Sequence, residues 1–107
     1  MKSRFLWENQ DKWVLKTDLG YTIAITMELK KRADKPRPEF PENFKFKLMA
    51  RNLENPRELV RLDNHQGKSP HYHLDDKQTY FTWISWEKTK KLFYQLACER
   101  FGYFEWS

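Results

Sequence analysis

Apolar and polar residues alternate most clearly between Tyr21 and Leu29, where every second side chain is a large apolar one. This period of two is typical of a strand with one buried face. The preceding segment Trp13–Thr17 has the composition of a partner strand, and residues 18–20 between them are turn formers. The pattern predicts an antiparallel hairpin near the start of the chain.

Two further strand pairs follow. In Phe44–Arg51 apolar side chains occupy the even positions, and mostly basic ones occupy the odd positions. A turn-forming segment then leads into Leu59–Leu62, which predicts a second hairpin. The segments His71–Leu74 and Tyr80–Trp83, joined by polar residues 75–78, predict a third pair.

The period changes near the end of the chain, where a helix is predicted over residues 85–101. Ser85 is a suitable N-cap, Glu87 lies where the helix dipole favours a carboxylate, and Gly102 follows the last turn. We therefore expect an α+β fold: an antiparallel sheet of about five or six strands built from hairpins, with one C-terminal amphipathic helix packed on one face. The apolar stripe of the helix consists of Leu92, Phe93, Leu96, Ala97 and Phe101.

Two segments outside this pattern have distinct compositions. The final residues 103–107 include three aromatic side chains, so we expect this tail to dock on the body of the protein or on a partner. Residues 32–41 are basic, contain three prolines and predict an extended, semi-rigid loop.

Composition limits the class of protein. With 107 residues the chain is expected to form one domain, 1–107, and 17% aromatic residues argue against disorder despite 33% charged residues. A single cysteine, Cys98, excludes an intramolecular disulfide framework. No apolar stretch approaches the ~20 residues of a membrane span, so we expect a cytoplasmic protein without a membrane partner.

The net charge of +5 is concentrated in one part of the chain. The segment Lys30–Arg51 carries eight basic and three acidic residues, and the remainder is balanced. Within it Lys45, Lys47 and Arg51 share one strand face, which is how proteins present cations to a phosphate backbone. The alternative is that these side chains only solvate an exposed face or protect an edge strand.

All three histidines, His65, His71 and His73, lie within nine residues. Residues two apart in a strand point to the same face, so His71 and His73 are expected side by side as an acid and base pair, with His65 and Asp63 assisting. Cationic side chains near them could stabilise a phosphorane-like transition state. This set predicts a metal-independent ribonuclease centre with no cofactor. The expected phosphate contacts are Arg61, Lys68, Lys45, Lys47 and Arg51.

Two other interpretations of the histidines stay open. The His-x-His spacing also suits zinc or another divalent ion, which would make the protein a metal-dependent phosphodiesterase. Alternatively the histidines are edge-strand residues hydrogen-bonded to their neighbours, with residues 63–64 forming a turn. In the metal interpretation the third ligand is Asp63, His65, Asp75 or Asp76.

The segment Arg61–His65, a short glycine-containing loop and then His71–His73 resemble the central motif of the TumE-like toxins of toxin–antitoxin modules. Leu62 stands where that family has an aromatic residue. The resemblance implies a cytosolic toxin that acts on RNA and is neutralised by a protein antitoxin. Asp63, His65, His71 and His73 correspond to motif positions.

The expected function is thus that of a small RNA-cleaving toxin with RNA and an antitoxin as partners, and with a homodimer as a further expected assembly. The alternative function is that of a non-catalytic module, which binds nucleic acid or acts as a protein adaptor through the basic strand and the aromatic tail. Such a module would retain salt-dependent binding after loss of the histidines.

Overall fold

Six strands form one antiparallel sheet, followed by a single helix, in a computed structural model that describes residues 5–65 and 67–106. The spatial order of the strands equals their order in the chain. The predicted α+β architecture is confirmed. The elements are β1 (Phe5–Lys16), β2 (Thr22–Arg32), β3 (Phe44–Asn52), β4 (Leu59–His65), β5 (Lys68–Leu74), β6 (Lys77–Tyr80) and α1 (Trp86–Phe101).

Several strand boundaries differ from the predicted ones. β1 begins at Phe5 rather than Trp13, because its first half is exposed on both faces and therefore lacks an apolar alternation. The last strand is β6 rather than the predicted Tyr80–Trp83. Asp75 adopts φ 57°, which closes a two-residue turn and pairs Leu74 with Lys77.

The hydrophobic core lies between one face of the sheet and α1, which packs across β3 and β4. The alternating apolar positions of β2 to β4 point into it, as their period of two requires. The basic residues of β3, and Asp63 and Arg61 of β4, consequently point away from α1. The buried core residues are Ile23, Ile25, Phe46, Leu48, Ala50, Val60, Leu62, Phe93, Ala97, Phe101 and Phe104.

The helix and the tail are held by local polar contacts and by aromatic packing. The Ser85 hydroxyl accepts a hydrogen bond from the Lys88 N–H at 3.1 Å, as expected of an N-cap. After Gly102 the chain turns back, and Trp106 packs edge-on against Trp13 and Phe93. The tail thus docks on the body of the protein through residue 106, and residue 107 lies outside the described residues.

No helix within the described ranges is both long and apolar enough to cross a lipid bilayer.

Candidate active site

The sheet register places the motif residues in adjacent rows on the face away from α1, which we call the histidine face. Lys47 of β3 lies opposite Asp63 of β4, Asp63 lies opposite His71 of β5, and His71 lies opposite Tyr80 of β6. Residues that are paired across antiparallel strands point to the same side of the sheet. The next row on this face contains Met49, Arg61, His73 and Gln78.

The three histidine rings converge. The ring centroid of His71 lies 5.7 Å from that of His65 and 5.0 Å from that of His73. Tyr80 packs on His71 from the other side, with centroids 5.7 Å apart, while remaining 57% exposed. His65 is exposed and His73 is half-buried, so both can contact a molecule bound on this face.

His71 is the exception, because only 1% of it is exposed. Its Nδ1 lies 2.8 Å from the carbonyl oxygen of Ser69, and since a carbonyl only accepts, Nδ1 donates the hydrogen bond. Its Nε2 lies 2.8 Å from Oδ1 of Asp63. His71 is therefore less accessible than His65 and His73, and its predicted pairing with His73 as acid and base stays a prediction.

The close contact between Nε2 of His71 and Oδ1 of Asp63 brings two electron-rich atoms together. In the neutral tautomer that donates from Nδ1, the Nε2 lone pair faces a carboxylate oxygen, and the two repel each other. Both atoms are buried and neither makes a well-oriented hydrogen bond within the described part of the chain. A cation between the two atoms removes this repulsion.

His73 titrates differently from a free imidazole. Burial lowers the pKa of His73 below its usual value of 6.5, and the positive charge of Arg61 is the second cause of this lowering. The carboxylate of Asp63 acts in the opposite direction, and Lys68 adds to the lowering. His73 is therefore more fully neutral near pH 7 than a free histidine, as a general base must be.

Asn64 fastens the motif to the rest of the sheet. This buried side chain accepts a hydrogen bond from the Phe46 N–H at 3.0 Å and donates to the carbonyl oxygens of Glu39 and Phe44 at 2.8 and 3.0 Å. All of these partners lie 18 to 25 residues away in sequence. The alternative of a turn at residues 63–64 is thus wrong: both lie within β4, and Asn64 holds that strand in place.

An irregularity in β5 shapes the site next to the histidines. Asp63 pairs with His71 but His65 pairs with Lys68, so β5 contains one residue more than β4 over this stretch. Pro70 lies in the extra segment, where its missing N–H removes a ladder hydrogen bond. Within this irregular segment the Ser69 carbonyl accepts from the His71 ring. Sequence reasoning missed this carbonyl, because the segment was expected to be a loop.

Cations border the cluster. One cleft of about 200 Å³ is lined by the predicted phosphate contacts Lys45 and Lys47 and by the predicted catalytic residues Asp63 and His65. Arg61 places its Nε 3.3 Å from Oδ2 of Asp63.

Arg51, another of the predicted phosphate contacts, lies farther from the histidines than Lys45 and Lys47 do. It is opposite Leu59 on the same face, roughly 13 Å along the strand from Lys47.

Not all of the cations at the end of β2 reach this face. Lys30 pairs with Lys45 and lines the same cleft. Lys31 instead donates to the carbonyl of Glu42, and the buried Arg32 binds the carboxylate of Asp34 with its Nε at 2.9 Å. Lys31 and Arg32 are thus engaged by partners outside the cleft.

One group of side chains has the spacing of a metal site. Potential ligand atoms of Asp63, His71 and His73 all lie within 4.8 Å of one another. Asp75, another ligand considered above, instead accepts hydrogen bonds from the Leu59 N–H and from Arg100. Of the third ligands considered from the sequence, Asp63 is the one in this group.

No family model matches the chain, and comparisons with curated proteins and with solved structures returned no significant match.

Proposed function

We propose that the protein cleaves RNA on the histidine face, as the toxin of a toxin–antitoxin module. The observation that carries the proposal is the convergence of three imidazoles and Asp63 beside Lys45 and Lys47 in one exposed area of the sheet. Cleavage of RNA without a metal requires a base, an acid and cations for the phosphate, and each is present there.

In the proposed reaction His73 takes the proton of a ribose 2′-hydroxyl, and the resulting oxygen attacks the adjacent phosphorus. The bond from phosphorus to the 5′-oxygen breaks, and His65 donates a proton to that leaving oxygen. The products are a 2′,3′-cyclic phosphate and a 5′-hydroxyl. The lowered pKa of His73 supports its assignment as the base.

The remaining residues have supporting roles in this proposal. The buried His71 and the half-buried Asp63 form a pair that positions the two outer imidazoles. Arg61 carries charge next to the reacting phosphate. The exposed ring of Tyr80 offers a stacking surface for a base, a contact that contributes roughly 1–3 kcal/mol in single-strand binding.

The toxin assignment and the antitoxin partner are supported by the motif over Arg61–His73. An antitoxin that covers this cationic face would match its charge best if it were acidic.

The test is a cleavage assay on a short RNA oligonucleotide and on the DNA oligonucleotide of the same sequence. We expect cleavage of RNA alone, with 2′,3′-cyclic phosphate ends, because DNA lacks the nucleophile. His73→Ala should lower the rate by about 10²-fold or more while leaving RNA affinity within a few-fold. Equal cleavage by the wild type and the His73 variant would remove the assignment.

A matched pair of double lysine variants tests the binding surface. Lys45→Ala/Lys47→Ala should weaken RNA binding and make the slope of log affinity against log salt smaller by about 1.4. Lys88→Ala/Lys91→Ala, on exposed positions of α1, should change neither. Binding without cleavage by the wild type would favour the non-catalytic module instead.

A metal-dependent phosphodiesterase is the second candidate, and the observation that favours it is the Asp63, His71 and His73 group. The hydrogen bond from His71 Nδ1 to the Ser69 carbonyl is the outer contact that metal-binding histidines usually make. Zinc or manganese in the purified protein, together with loss of cleavage in chelator, would select this candidate. Unchanged cleavage in chelator would exclude it.

A further inference from the structure

β1 is an edge strand whose outer side is open. It pairs with β2 alone, and within the described ranges no backbone hydrogen bond joins Trp7–Lys16 to any other segment. The strand has 12 residues, and Leu6, Trp7 and Val14 are 68%, 41% and 66% exposed. Long edge strands with exposed apolar side chains are templates for pairing with another chain.

The sequence of β1 is complementary to itself. When two copies pair antiparallel around a two-fold axis at Gln10, Glu8 of each copy lies directly opposite Lys12 of the other. Trp7 then lies opposite Trp13. Opposite charges and aromatic pairs facing one another are the contacts that stabilise antiparallel strands.

Neighbouring registers lose this match. A two-fold axis at Asp11 places that carboxylate opposite its own copy, and an axis at Asn9 pairs Glu8 with Gln10. If the histidine faces of both copies lie on the same side of the sheet, the two-fold axis must pass a residue rather than a peptide bond. The axes at Asn9 and Asp11 are therefore the nearest alternatives to the axis at Gln10. The charges of Glu8 and Lys12 therefore select the axis at Gln10.

The same register places an aromatic side chain at the edge of a groove. Trp13, Met27, Tyr94 and Trp106 line a groove of about 600 Å³ between the sheet and α1. Trp13 pairs with the core residue Ile25 and Trp7 pairs with Lys31, so both tryptophans lie on the helix side of the sheet. In the proposed register Trp7 of the second copy lies next to Trp13, at the open edge of this groove.

We propose that two copies of the chain associate through β1, with Gln10 on the two-fold axis, to form one continuous antiparallel sheet. The histidine faces of both copies then lie on the same side of that sheet. This proposal rests on β1 and its charges, and it stands whether or not the protein cleaves RNA.

Sedimentation equilibrium of the full chain tests the pairing. The wild type should dimerise, and Glu8→Lys or Lys12→Glu should each weaken the dimer roughly tenfold or more, because each places like charges opposite one another twice. The double variant Glu8→Lys/Lys12→Glu restores opposite charges and should recover most of the affinity. Glu54→Lys, the same charge change in the exposed turn before β4, should have no effect.

Disulfide trapping tests the register. Gln10→Cys places its two copies opposite one another, within the ~4.4–6.8 Å between Cα atoms that a disulfide spans, and should give a covalent dimer on oxidation. Val14→Cys, on the same face but roughly 27 Å from its copy, should not. A monomer at every concentration up to the solubility limit would overturn the proposal. A dimer unaffected by the charge reversals, or trapped at Val14 instead of Gln10, would overturn it equally.

Discussion

Replacing Asn64 with alanine should destabilise the protein severely, although the residue contacts no proposed substrate. The side chain is 1% exposed and makes three hydrogen bonds, to the Phe46 N–H and to the carbonyls of Glu39 and Phe44. Truncation leaves these backbone groups without their partner, at about 1–3 kcal/mol for each that stays buried. With one of the three regaining water, we expect a loss of about 3–4 kcal/mol.

Urea unfolding measures this loss. A domain of this size is stable by roughly 5–15 kcal/mol, and with a slope near ~1.5 kcal/mol per molar urea the midpoint should fall by about 2 M. Asn55→Ala is the matched control. The Asn55 amide oxygen accepts one exposed hydrogen bond from the Arg57 N–H, so this variant should lose less than about 0.5 kcal/mol.

A second substitution separates hydrogen bonding from packing. Asn64→Asp keeps the size of the side chain and the oxygen that accepts from Phe46, but it replaces the donor to two carbonyls with an acceptor. We expect it to be at least as damaging as Asn64→Ala. A loss below about 1 kcal/mol in both variants would refute the view that these bonds hold the motif strand.

Three further predictions concern other parts of the molecule. Histidine titration by NMR should place the midpoint of His73 below 6.5, and Arg61→Gln should raise that midpoint. Because His73 binds a proton more readily in the unfolded chain than in the folded one, its contribution should make the fold less stable as the pH falls below 6.5. Trp106→Ala should cost about 2 kcal/mol in thermal unfolding, since it removes a half-buried ring from the aromatic cluster. Gly102→Ala should cost roughly 2 kcal/mol, because φ is 95° and a Cβ would lie 2.5 Å from Oδ1 of Asp18.

Local periodicity was sufficient for most of the fold. The alternation in Tyr21–Leu29 and Phe44–Arg51 predicted which side chains face the core, and Ser85 and Gly102 predicted the ends of the helix. These features depend on the near neighbours of each residue, so they are readable from sequence alone. The same period of two placed Lys45 and Lys47 on one face, and the structure places the histidines on that face too.

What the sequence by itself determined, then, is the set of elements, the side of the sheet that is basic and the presence of three histidines close together in the chain. Tertiary structure alone decided that His71 is buried between Asp63 and Ser69, while His65 and His73 stay accessible. It also decided that Asn64 holds β4 to segments up to 25 residues away. The physical reason is that burial and hydrogen bonding of these side chains depend on strand register and on an extra residue in β5, which no local pattern specifies.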